Sequence, residues 1–265
     1  MISVHLLPNL MTSEKAGSAS VAHGESAAAG IGPRFPDASS VAVIIDILRA
    51  STSMATALQN GCVGIRACAT PGEAFDWKAQ SSPGTVLLGG ERGGVRIDGF
   101  DLGNSPAEYD EPTVRGKQIV FTTTNGTRAL LRSVSAGTVL VGCFLNRSAL
   151  LGRLRKHTGD IHLVCAGTDG IITGEDVLFA GAITELLLAE TPTRKINDSA
   201  EIARRCWRDV TGSDDEESAI EAYFRTTRGG LNLLELGFDQ DLHRCSRVDT
   251  LSAVPTYDHS SGMLK

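Results

Sequence analysis

The run Val41-Ala42-Val43-Ile44-Ile45-Asp46-Ile47-Leu48-Arg49-Ala50-Ser51-Thr52, continuing through Gln59 to Asn60-Gly61, decides the fold. Its opening is continuously apolar and rich in β-branched residues, at the length of a strand. Such a run suits a strand covered on both faces, as in a parallel sheet, rather than one that alternates between core and water. Two polar residues, Asp46 and Arg49, interrupt it. Ser51 to Gln59 then reads as a helix, and Asn60-Gly61 supplies its left-handed stop.

The same strand-then-helix unit recurs along the chain. Strands are expected at 2–7, 62–69, 85–88, 118–121, 138–141 and 161–165. Helices are expected at 71–80, 127–134, 148–156, 175–189, 198–207 and 215–226, with a more irregular C-terminal part. This alternation predicts an α/β protein: three α/β/α layers around a mainly parallel sheet. Its 265 residues suffice for one such domain over 1–265. Residues 12–40 are rich in Ser, Ala and Gly and are expected to be a flexible insertion.

Composition narrows the function. With 5% aromatic residues, the core must rest on Val, Ile, Leu and Ala. A net charge of −6 and the lack of a basic run argue against nucleic-acid binding. No apolar run reaches about 18 residues, so no membrane span is expected. The six cysteines form no C-x-x-C pair and read as scattered buried thiols; a cytoplasmic location is expected. Walker A, G-x-G-x-x-G, G-x-S-x-G and HExxH patterns are all missing, which removes four common site types.

In open α/β sheets ligands bind beyond the carboxyl ends of the strands. One strand end carries Asp46, a candidate metal ligand or catalytic group, and Arg49, which could grip an oxyanion. There Ser51 and Thr52 stand at a helix start, suited to phosphate, although Ser51 as a plain cap and an Asp46–Arg49 pair fit equally. A second end, Thr122-Thr123-Thr124-Asn125-Gly126-Thr127-Arg128, offers hydroxyls, an amide and an arginine as an anion cradle, or simply a capped turn. A third holds Asp169, Glu175 and Asp176, acids that could hold Mg²⁺ or could merely begin a helix. The fourth is the glycine-rich stretch Gly89 to Pro106, GGERGGVRIDGFDLGNSP, read as a loop that sends Glu91 and Arg92 inward.

The strings DILRAST (46–52), ERGG (91–94), GFDLGNSP (99–106), TTTNGTR (122–128) and CAGT (165–168), with Glu175-Asp176, resemble the 2-phosphosulfolactate phosphatase family. Arg228-Gly229-Gly230 and Leu236-Gly237 resemble its closing motifs, and the similarity runs from about residue 41 to about 255. The resemblance implies an α/β, Mg²⁺-dependent phosphatase that converts 2-phosphosulfolactate to sulfolactate and phosphate on the way to coenzyme M.

On that reading Asp46, Glu175 and Asp176 contribute to Mg²⁺ binding, some through water. Arg49, Ser51, Thr52, Asn125, Gly126, Thr127 and Arg128 are the expected substrate-binding residues, with Asp46, Glu91 and Arg92 as the catalytic set. Arg92 also helps to hold the substrate's anionic groups. Glu91 is a further metal ligand or a general base. Water is the preferred nucleophile, with Asp46 as a phosphoryl acceptor the rival. Two other readings stay open: a non-catalytic binder of phosphorylated or sulfonated acids, and a phosphatase of the same mechanism with another substrate. The implied partner is a small anionic phosphorylated substrate, and a homo-oligomer is compatible with the chain.

Overall fold

The structure, a computed structural model, describes residues 1–11, 38–212 and 215–265. Most of the expected insertion, 12–37, lies outside the described residues. The elements in chain order are β1 (Ile2–His5), β2 (Val41–Ile45), α1 (Ala50–Gln59), β3 (Gly64–Ala67) and α2 (Pro71–Ala79). Then follow β4 (Val86–Arg92), β5 (Val95–Arg96), α3 (Glu111–Val114), β6 (Gln118–Thr122), α4 (Gly126–Ser133), β7 (Thr138–Gly142) and α5 (Arg147–Leu154). The chain closes with β8 (Ile161–Cys165), α6 (Gly174–Glu190), α7 (Asp198–Val210), α8 (Glu216–Phe224), α9 (Arg228–Glu235), α10 (Asp239–Ser246), β9 (Tyr257–Asp258) and β10 (Met263–Leu264).

The α/β expectation holds, and the strands divide between two sheets. One has four parallel strands in the order β1-β8-β2-β7. The other has six, in the order β5-β4-β6-β3-β10-β9; β4, β6 and β3 are parallel, and β5, β10 and β9 pair antiparallel.

β2 shows why its sequence is continuously apolar. Successive strand side chains point to opposite faces. Val41, Val43 and Ile45 enter one core with residues of α5, α6 and α7, while Ala42 and Ile44 enter a second core with Ala50 and Met54 of α1 and Leu130 of α4. The second core also takes Ile65, Ile119 and Phe121 from the six-stranded sheet. Helices therefore cover both faces of the four-stranded sheet, and α1 and α4 share their core with both sheets. A third, smaller core of Ala74, Val86, Leu88, Phe100 and Val120 lies where α2 meets the other face of the six-stranded sheet.

This arrangement brings strand ends together. Ile45 is in register with Cys165, so Asp46 lies beside the loop that follows β8. Gly90 is in register with Thr122, so Glu91 lies beside Thr123 to Asn125. α4 leaves β6 of one sheet and packs against β2 of the other, which carries its first residues onto Asp46.

Candidate active site

The turn after β2 is held by its own polar groups. The Asp46 amide donates to Ser51 Oγ at 2.9 Å, and Ser51 Oγ donates to the Ile44 carbonyl at 3.2 Å. The Ala50 amide, at the start of α1, donates to Asp46 Oδ1 at 3.2 Å. Thr52 Oγ1 donates to the Ile47 carbonyl at 3.0 Å. Arg49 is buried. Its Nη1 donates to Asp241 Oδ2 and its Nη2 to the Gly94 carbonyl, each at 2.7 Å.

The glycine-rich stretch differs from the expected loop. Strand β4 runs through Gly89 and Gly90 to Arg92, and Gly93-Gly94 turns it back into β5 as a two-residue hairpin. Both turn glycines have positive φ, +59° and +82°, as this tight reversal requires. Glu91 is buried and faces the cavity. Its Oε1 accepts from the Thr124 amide at 2.8 Å and its Oε2 from the Gly94 amide at 2.7 Å. Arg92 is next in the strand, so it points the other way. Its guanidinium donates to the carbonyls of Glu91 and Ala69 and to Thr122 Oγ1.

Helix α6 begins with two buried acids. Asp176 works as a clasp: Oδ1 accepts from the Ile47 amide at 2.9 Å and Oδ2 from the Gly167 amide at 3.0 Å. It thereby joins the turn after β2 to the loop after β8. Glu175 is equally buried, and its Oε2 has no hydrogen-bond partner among the described residues.

Helix α9 closes the site, where no helix was expected. Thr227 caps it, accepting from the Gly230 amide at 3.2 Å. Gly229 has a reason to be glycine: a Cβ there would lie 2.0 Å from Glu175 Oε1. Gly126 plays the same part at the start of α4, where a Cβ would lie 2.6 Å from Asp46 Oδ2.

These parts enclose a cavity of about 350 Å³. Its lining includes Asp46, Arg49, Glu91, Gly94, Asn104, Thr124, Asn125, Thr168, Asp169, Arg228, Gly229, Asn232 and Glu235. The starts of α1, α4 and α9 meet around it, and Glu175 at the start of α6 packs behind Gly229. Helix N-termini present free N–H groups and a partial positive charge, a setting for anions.

The acids nevertheless crowd one another. Burial, reinforced by Glu91 and Glu175, pushes the Asp46 carboxyl up to about 7, against the pull of the Ala50 amide and Arg49. Burial, with Asp46 and Glu175 nearby, holds Asp176 well above the ordinary carboxylate range, and burial raises Glu175. Carboxylates buried this closely keep a proton or share a cation. Among the described residues no group of three or more His, Cys, Asp or Glu side chains is already gathered as a metal site. Mg²⁺, however, keeps most of its waters and takes only one or two carboxylates. Asp46 and the unpartnered Glu175 Oε2 suit that need; both Asp176 oxygens are occupied by backbone amides.

The structure thus gathers Asp46, Arg49, Glu91 and Asn125 at the cavity, with Glu175 behind Gly229 and with Gly126 and Asp176 against the turn after β2. Ser51, Thr52 and Thr127 are buried, with their hydroxyls spent on the backbone, and lie outside the lining. Arg92 and the exposed Arg128 lie outside it as well. Arg228, Asn232 and Glu235 on α9 were not among the expected site residues. Their signal was a threonine cap followed by Gly229-Gly230. All six cysteines are free, and five are buried. Among the described residues no helix is long and apolar enough to cross a membrane.

The α/β scaffold thus sets buried acids beside helix starts at one cavity. The 2-phosphosulpholactate phosphatase family model matches residues 32–260. A probable 2-phosphosulfolactate phosphatase of Symbiobacterium thermophilum is 37% identical over 224 residues, covering 84% of this chain and 94% of the relative. One of Caldanaerobacter subterraneus subsp. tengcongensis is 39% identical over 213 residues (80% and 86%), and one of Thermotoga maritima 36% identical over 233 (88% and 96%). The chain belongs to the 2-phosphosulfolactate phosphatase family, whose members are phosphoric monoester hydrolases.

Proposed function

We propose that this protein hydrolyses 2-phosphosulfolactate to sulfolactate and inorganic phosphate in a Mg²⁺-dependent reaction, a step toward coenzyme M. The observation that carries the reading is the meeting of buried, mutually repelling carboxylates with three helix starts at one cavity. A binder of anions alone gains nothing from acids in that position, whereas a hydrolase that uses a divalent cation needs them.

Asp46 and Glu175 are the residues to hold Mg²⁺. Once bound, the cation would neutralise phosphate oxygens and offset the repulsion between these acids. The helix starts of α4 and α9 hold the phosphate, and the glycines at 126 and 229 let Asp46 and Glu175 pack directly against those starts. Glu91 is fixed by Thr124 and Gly94 and faces the cavity, so it is placed to take a proton from the attacking water. Attack at phosphorus breaks its bond to the ester oxygen, and that oxygen takes up the proton Glu91 received from the water and leaves as the hydroxyl of sulfolactate. The remaining work is alignment and charge stabilisation, as is usual for phosphoryl transfer.

Purified protein should release phosphate from 2-phosphosulfolactate, lose that activity in EDTA and recover it with Mg²⁺. Binding without cleavage would leave the non-catalytic reading. A panel of phosphorylated hydroxy acids separates this substrate from its neighbours. Trapping a phosphoaspartate at Asp46 during turnover would replace water as the nucleophile.

A further inference from the structure

The proposed substrate carries a carboxylate and a sulfonate besides its phosphate, so the site needs a cation that is free to meet them. Among the described residues two arginines line the cavity, Arg49 and Arg228. Arg49 is 2% exposed and already bound to Asp241 and the Gly94 carbonyl, with its guanidinium stacked 4.2 Å from the Phe238 ring centroid. Its donors hold the protein together. Arg228 is different. It opens α9, its side chain is 46% exposed, and among the described residues its one ion pair is a loose 3.9 Å contact with the still more exposed Asp169.

Resting on the function proposed above, we infer that Arg228 is the specificity-determining residue that grips the substrate's sulfonate. The phosphate belongs deep, beside Asp46, Glu175 and the glycines that open α4 and α9. Arg228 stands at the mouth. The sulfonate sulfur is one bond further from the phosphorylated carbon than the carboxylate carbon is, so the sulfonate is the acid group that reaches the mouth. There the guanidinium exchanges Asp169, a partly screened surface partner worth little, for a charge-assisted contact to the ligand. Asn232 and Glu235 follow Arg228 at helical spacing on the same face, so they frame this end of the pocket.

The test compares 2-phosphosulfolactate with 2-phospholactate, which has a methyl group in place of the sulfonated methylene. In Arg228→Met, kcat/KM for the sulfonated ester should fall about 10- to 100-fold, mainly through KM, while the value for phospholactate changes less than about threefold. Arg228→Lys should recover part of the loss. An equal fall for both esters, or no fall for either, overturns the inference. Calorimetric titration with sulfolactate gives an arm that is independent of turnover: Arg228→Met should bind it about tenfold more weakly than the unsubstituted protein, and equal binding overturns the inference. If the unsubstituted protein cleaves neither ester, the proposed activity fails, while the titration still decides the role of Arg228.

Discussion

Arg49 and Asp241 form an ion pair almost wholly removed from water: Nη1 meets Oδ2 at 2.7 Å, and the two side chains are 2% and 3% exposed. The second oxygen of Asp241 accepts from Ser105 Oγ at 2.7 Å, and the second nitrogen arm of Arg49 holds the Gly94 carbonyl. One pair therefore ties the start of α1, the tip of the β4–β5 hairpin, the segment before Pro106 and helix α10.

Asp241→Ala should destabilise the protein by about 3–5 kcal/mol, because it strands a buried guanidinium without its counter-charge. Urea denaturation measures this. The double variant Arg49→Met/Asp241→Leu should recover most of that stability, since a well-packed apolar pair can replace a buried ionic one. Its turnover should stay low, because the hairpin that carries Glu91 has lost its anchor at Gly94.

Gly126→Ala and Gly229→Ala should each cut kcat/KM by about tenfold or more, because the added methyl collides with Asp46 or Glu175 and displaces that carboxylate. Gly152 in α5 is the control, with no atom within 4 Å of a Cβ built there. Gly152→Ala should leave turnover unchanged and raise stability by about 0.5–1 kcal/mol. A Gly126→Ala protein with full activity would contradict the role proposed for Asp46 in its position against α4.

The Asp46 carboxyl, raised from 3.8 to about 7, makes a pH prediction whose sign is definite. Between those values the folded state keeps a proton that the unfolded state has released. The metal-free fold therefore loses stability as pH rises through this window. Mg²⁺ needs the ionised carboxylate, so its stabilising effect should be larger at pH 8 than at pH 6. Thermal melts with and without Mg²⁺ read this directly. Asp46→Asn should flatten the pH dependence and abolish most of the Mg²⁺ effect.

His5 makes a prediction of the opposite slope. Burial, with His162 beside it, lowers its imidazole from 6.5 to about 4; its Nε2 lies 3.0 Å from His162 Nδ1. Below pH 6.5 the unfolded chain takes up a proton that the folded chain refuses, so stability is full above 6.5 and falls as pH drops toward 4. The loss should reach up to about 3 kcal/mol. Denaturant titrations at pH 7 and pH 4.5 should show it, and His5→Gln should reduce it.

Much of this was legible in the chain because it is local. The continuous apolar run at 41–45 could only be a doubly covered strand, and the polar step after it placed Asp46 and Arg49 at a strand end. What failed to show depends on partners far away in sequence. Strand pairing is non-local, so nothing in the runs at 86–88 and 138–142 says that they join different sheets. Glu91 and Arg92 were expected to point inward together, yet strand pleating separates neighbours, and the glycine-rich stretch hid that Glu91 was still in a strand. Ser51 and Thr127 read as ligand hydroxyls, but each was already claimed by a nearby carbonyl. Arg49 read as an oxyanion grip because Asp241 lies 192 residues away. Helix α9 escaped because Gly229-Gly230 reads as a turn, and only the contact with Glu175 explains the first of those glycines.

The division into two sheets makes the cavity a caliper. Asp46 is mounted beyond one sheet and Glu91 beyond the other, and α1 and α4 share their core with both. The gap between the jaws is therefore gauged by the girth of side chains such as Met54 and Leu130, which lie in the core and outside the cavity lining. Thinning those residues would narrow the bite, and thickening them would spread it. Relatives could thus be fitted to longer or shorter phosphorylated acids without altering a single group that meets the substrate.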